Sequence, residues 1–73
     1  MEIKQGIVVR NIKTDNLYVI NGTALNCTNA NDGQVMVIYA NETQEFVREI
    51  TEFKEKFEAV IIPEEESRII TLN

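Results

Sequence analysis

The sequence predicts a mainly β chain, a small barrel of about five antiparallel strands with one short helical turn before the last strand. Three observations carry that prediction. Short runs rich in β-branched or aromatic residues recur along the 73 residues, at Ile7–Ile12, Leu17–Ile20, Gln34–Ala40, Glu45–Ile50 and Ala59–Ile62. Clusters of Asn, Asp, Thr and Gly separate the first four of them. Phe53 and Phe57 stand four apart directly after Thr51, a spacing that places both rings on one face of a helical turn.

Gly6 precedes the first strand, and Lys13-Thr-Asp-Asn16 supplies a turn whose Asp and Asn tolerate left-handed backbone. The second strand starts at Leu17 and resumes over Thr23–Thr28 beyond Gly22, where a glycine inside a strand marks a bulge or a bend. Asn29-Ala-Asn-Asp-Gly33 is the clearest turn, because Gly33 offers the positive φ that hairpin loops require. Gln34–Ala40 is almost wholly apolar and is expected at the centre of the sheet. Asn41–Gln44 turns the chain into the fourth strand. Thr51 is the expected helix cap, with Glu52 suited to the positive end of the helix. So short a helix needs tertiary support. Its aromatic face is expected to plug the open end of the barrel. Pro63, lacking the ladder donor, ends the fifth strand.

The expected organisation is one barrel domain over 1–63 and an acidic linker with an apolar tail over 64–73. A core of this size leaves stability marginal. One cysteine and no histidine exclude an internal disulfide and argue against a protein-bound zinc. The chain must therefore rely on packing or on self-association. Ile69, Ile70 and Leu72 form an apolar patch in the tail, and are the expected oligomer interface if they do not pack on their own sheet.

Net charge is −5, balanced over residues 1–41 and concentrated beyond them, where four bases face nine acids. Such a chain lacks the basic footprint of a nucleic-acid binder and would be repelled by an anionic membrane. Without a membrane-length apolar run or a basic and apolar leader, a cytoplasmic location is expected. The Asn-X-Thr sequons at Asn21, Asn26 and Asn41 follow from an asparagine-rich composition in that setting.

Five strands with a helical turn before the last is the order of an SH3-like barrel. A closer resemblance rests on Gly6 with Val9-Arg10 and Lys13, on Leu17-Tyr-Val-Ile20, on Met36-Val-Ile-Tyr39, and on Phe46-Val-Arg48 leading to Glu52-Phe-Lys-Glu-Lys-Phe57. Together, over roughly residues 5–60, they resemble the bacterial and phage family called Domain of Unknown Function 1653. The resemblance implies a small SH3-like domain and brings no activity with it. The chain departs from the family pattern where Asn26-Cys-Thr-Asn29 replaces a histidine-bearing segment and where Glu49 replaces a proline.

No catalytic constellation is present. There is no histidine base, Ser67 is the only serine, and no glycine-rich phosphate loop occurs. Cys27 reads as a small buried or half-buried apolar residue. Glu64–Glu66 reads as a solvated run, so neither a metal nor another cofactor is expected. Arg10 and Arg48 are more informative, each bracketed by apolar residues at strand spacing. Each guanidinium either lies on the barrel rim against an acid, or stands with Tyr18 or Tyr39 in an aromatic-walled site for an anion. Two functions follow. The first is a non-enzymatic binding module working through protein–protein contacts, expected to be a homo-oligomer. The alternative is a phage-type counter-defence protein that sequesters a small nucleotide-like anion through Arg10 and Arg48.

Overall fold

The computed structural model describes residues 1–62. Strand β1 spans Val8–Asn11, β2 Leu17–Asn26, β3 Gln34–Ala40 and β4 Glu45–Glu49. Helix α1 follows over Ile50–Lys56, and β5 closes the fold over Phe57–Ile61. All neighbours pair antiparallel, in the order β4-β3-β2-β1-β5. This is the strand order of an SH3-like barrel, with the helix entering just before the last strand. The tail 64–73, with Ile69, Ile70 and Leu72, lies outside the described residues.

The sheet is strongly curled rather than flat. Four strand spacings of about 4.8 Å would hold β4 and β5 roughly 19 Å apart in a flat sheet. Yet the Arg48 guanidinium carbon of β4 stands 5.9 Å from the centre of the Phe57 ring at the start of β5. Tyr39 of β3, three strands away from β5, packs its ring 5.1 Å from that of Phe57. One bend is visible in the register: β2 slips against β3 between Ile20 and Gly22, where Gly22 takes φ 152°, a backbone state that a side chain disfavours. A second irregularity, between Val8 and Val9 in the pairing of β1 with β5, curves the opposite side.

Alternation decides which residues meet inside. Val9, Ile20, Val37 and Tyr39 point inward and join Ile7, Phe53 and Phe57 as the buried core. Phe53 is wholly buried; its ring stacks on Phe57 with centroids 4.4 Å apart and planes 10° from parallel, and meets Tyr39 at 5.1 Å. The helix therefore plugs the barrel with its aromatic face, as its spacing predicts. The turns also form as read. Asp15 adopts φ 65° and Gly33 φ 84°. The Asn41 side-chain oxygen accepts from the backbone of Thr43 at 3.0 Å and of Gln44 at 2.9 Å.

Several sequence expectations are corrected. Glu49, not Thr51, caps the helix: its extended backbone lets the carboxylate accept from the N–H groups of Thr51 at 2.8 Å and Glu52 at 3.1 Å. Thr51 lies inside the first turn, where its own N–H is one of those needing a partner. Phe57 is not helical, since its φ of −129° and ψ of 152° are extended, and it begins β5 by pairing with Asn11. It still stacks on Phe53 because its N–H bonds the Phe53 carbonyl, one turn back. The central strand is β2, not β3. The apolar run of β3 arises because its outward positions are apolar as well as its inward ones. Cys27 is exposed, because it follows the end of β2, where the β2–β3 hairpin has outgrown the core.

Candidate functional site

Arg48 is the charged residue most closely tied to the core. It stands opposite Val37 in the β3–β4 register, and facing residues of an antiparallel pair share a side of the sheet. Val37 is fully buried, so Arg48 enters the barrel mouth. There its Nε donates to the Tyr39 hydroxyl at 3.3 Å, and its Nη1 donates to Glu52 on α1 at 2.6 Å. The Tyr39 hydroxyl thus gains a partner in a side chain only 4% exposed, and burial of a phenol without one would be costly. The Tyr39 bond first, and Glu52 after it, raise the Arg48 pKa against a smaller opposing effect of burial. Arg48 stays cationic, oriented on two sides, with the Phe57 ring face as a third support.

Tyr18 completes the aromatic group. Its ring meets Tyr39 edge-on at 5.4 Å, Phe57 at 5.6 Å and Phe46 at 5.8 Å. The structure therefore brings together Arg48, Tyr39 and Tyr18, three of the residues singled out in the sequence. Arg10 is not brought to them. Its neighbour Val9 is fully buried, so Arg10 projects from the opposite, outer face of the sheet. There it pairs with Glu58 across β1–β5 and with Asp15 of the following turn, and those hydrogen bonds, Glu58 first, raise its pKa. A joint anion site built from Arg10 and Arg48 is thus excluded by the alternation of β1 and β4. Both arginines meet carboxylates, Arg48 at Glu52 and Arg10 at Glu58 and Asp15.

Two features went unread in the sequence. The first is the outer face. An antiparallel sheet with one open side usually presents polar residues there. Here Val8 stands beside Val19, Val19 beside Ala40, and Ile61 beside Val8, so the register draws an apolar row across four strands. With Leu17, three of these residues line a shallow groove of about 630 Å³, whose polar wall is Asn16 and the Asn41–Thr43 turn. Leu17 is 55% exposed and Val19 41%. The signal was present in Leu17-Tyr-Val-Ile20, where both parities are apolar, yet such a run also fits a strand buried on two sides. The second is a cleft of about 340 Å³ between the β1–β2 turn and the end of α1, lined by Lys13, Thr14, Arg48 and Lys56 among others.

Among the described residues, no group of three or more His, Cys, Asp and Glu side chains is placed to hold a metal ion. None of their helices is long and apolar enough to cross a membrane. Fold and site together define a small SH3-like barrel with an arginine fixed over its aromatic core and an apolar outer face. No family model matches the chain, and no curated protein or solved structure matches it either.

Proposed function

We propose that this chain is a non-enzymatic interaction module that acts through protein–protein contacts and self-associates, with the outer sheet face as its contact surface. The single observation that carries this reading is the apolar row Ile61, Val8, Val19 and Ala40, extended by Leu17. Scattered apolar residues on a surface need no explanation, but a row in register across four strands does. Leu17, Val19 and Ile61 keep between 38% and 55% of their area exposed. Covering each is worth about 1 kcal/mol, roughly half the value of full burial. Two copies covering each other's row gain about 6 kcal/mol before association costs of at least about 4 kcal/mol, which suits a weak, concentration-dependent oligomer. A second copy is the occupant proposed, because an isologous contact lets one apolar row satisfy its own image.

Ile69, Ile70 and Leu72, the interface expected from the sequence, lie outside the described residues and join this proposal as a further apolar contribution. The absence of histidine supports a non-enzymatic role. The resemblance to Domain of Unknown Function 1653 is compatible with it and adds no activity, and a cytoplasmic setting belongs to the same reading.

Sedimentation equilibrium over a wide concentration range tests it. The wild-type chain is expected to dimerise or oligomerise by high micromolar concentration. Val19→Glu is expected to remain monomeric with an unchanged circular dichroism spectrum, since Val19 projects outward. A wild-type monomer throughout, or undiminished association in Val19→Glu, overturns the proposal.

A further inference from the structure

The second cleft carries an inference independent of the outer face, because the two share no residue. We propose that the cleft between the β1–β2 turn and the end of α1 binds the phosphoryl group of a small phosphate monoester. In a chain of net charge −5, three of the cations converge there: Lys13 from the turn, Arg48 from β4 and Lys56 from the last turn of α1. Among the described residues, neither Lys13 nor Lys56 forms an ion pair. Arg48 uses Nε on Tyr39 and Nη1 on Glu52, which leaves Nη2 without a hydrogen bond.

The frame that holds these cations is fixed. The Ile12 N–H donates to the Lys56 carbonyl at 2.9 Å, tying the turn to the helix end. The Asn11 side-chain oxygen accepts from the N–H groups of Lys13 at 3.0 Å and Thr14 at 3.1 Å. That leaves the Asn11 amide NH₂ and the Thr14 hydroxyl as neutral donors on the same wall. Asp15, the acid of this turn, is drawn to Arg10 on the outer face. Glu55 is the one carboxylate lining the cleft. It works against a bare anion and favours an ester whose organic part offers a hydroxyl or amine to accept from.

Chemistry and size agree on the ligand. A phosphate monoester is close to dianionic at neutral pH and offers three acceptor oxygens, matching the Arg48 Nη2 and two ammonium groups. A volume of about 340 Å³ is at the small end of ligand pockets and accommodates a phosphoryl group with a compact substituent. Arg48, already oriented, loses little freedom on binding.

The test is an NMR titration of the ¹⁵N-labelled full chain at constant ionic strength with three probes: inorganic phosphate, adenosine 5′-monophosphate and a phosphoserine tripeptide. Saturable shifts are expected at Lys13, Thr14, Arg48, Glu55 and Lys56, and the tightest arm tells a nucleotide from a phosphorylated side chain. Binding should weaken below about pH 6, where the monoester loses its second charge. The double variant Lys13→Ala, Lys56→Ala should keep the fold, since both side chains are exposed, and bind roughly tenfold more weakly. Lys54→Ala, exposed on the same helix but outside the cleft, should bind like the wild type. No saturable shift up to about 10 mM, well beyond a dissociation constant of about 1 mM, overturns the proposal. So do shifts mapping elsewhere, or equal affinity in the double variant.

Discussion

Phe53→Ala tests the claim that the short helix closes the barrel. Phe53 is 0% exposed, stacks on Phe57 at 4.4 Å and meets Tyr39 at 5.1 Å. Truncating a fully buried phenylalanine to alanine costs about 3–5 kcal/mol, through lost transfer energy and the cavity left behind. A 73-residue domain holds about 4–11 kcal/mol in total at the usual stability per residue. The variant should therefore lose most of its stability, and at the low end of that range should be largely unfolded at 25 °C. Phe53→Leu keeps most of the volume without the ring stacking and should cost only about 1–2 kcal/mol. Urea unfolding followed by tyrosine fluorescence and far-UV circular dichroism measures both, as the chain has two tyrosines and no tryptophan. If Phe53→Ala stays within about 1 kcal/mol of wild type, the helix does not plug the core and the closure argument fails.

Other expectations follow from the same geometry. Tyr39→Phe removes the oxygen that accepts from Arg48 Nε and should cost about 1 kcal/mol in the same urea assay; an unchanged midpoint would show that the bond contributes nothing. Glu49 is held below its usual pKa of 4.5 by the N–H groups of Thr51 and then Glu52. A depressed folded-state pKa gives stability that is fully present above the unfolded value and lost as pH falls through the folded one. Acid unfolding of the wild type should therefore steepen below pH 4.5, and Glu49→Gln should flatten that part of the curve. Matching acid profiles for the two proteins would remove Glu49 as the cap. Gly33→Ala forces a side chain onto φ 84° and should lower stability by about 1 kcal/mol although nothing crowds the new methyl group; thermal melts read the shift.

Much of the fold is legible in the residues because its signals are local. Asp-Gly at Asp32-Gly33, the Lys13–Asn16 and Asn41–Gln44 turns and the bend at Gly22 each depend on the backbone preferences of a few adjacent residues. The helix is legible through the spacing of Phe53 and Phe57. Its cap is not, because glutamate is not a preferred capping residue and only the extended backbone of Glu49 carries its carboxylate back over Thr51 and Glu52.

The candidate sites divide along the same line. Arg48 is recognisable from Phe46-Val-Arg48 because strand alternation puts it with inward residues, and Tyr39 becomes its partner through the pairing of β3 with β4. Its supposed companion Arg10 obeys the same alternation, but relating the parity of β1 to that of β4 requires the register of every strand between them. That register puts the two arginines on opposite faces.

By itself, then, the sequence determines the strand and turn sequence and the aromatic plug, since these depend on composition and on neighbours along the chain. Only the tertiary structure decides which cations share a cleft and which apolar residues form a row. Lys13 and Lys56 are far apart in sequence and meet through one backbone bond from Ile12 to Lys56. Val8, Val19, Ala40 and Ile61 align only when four strands are in register. Both groupings are long-range, and local chemistry does not encode the distance across a curled sheet.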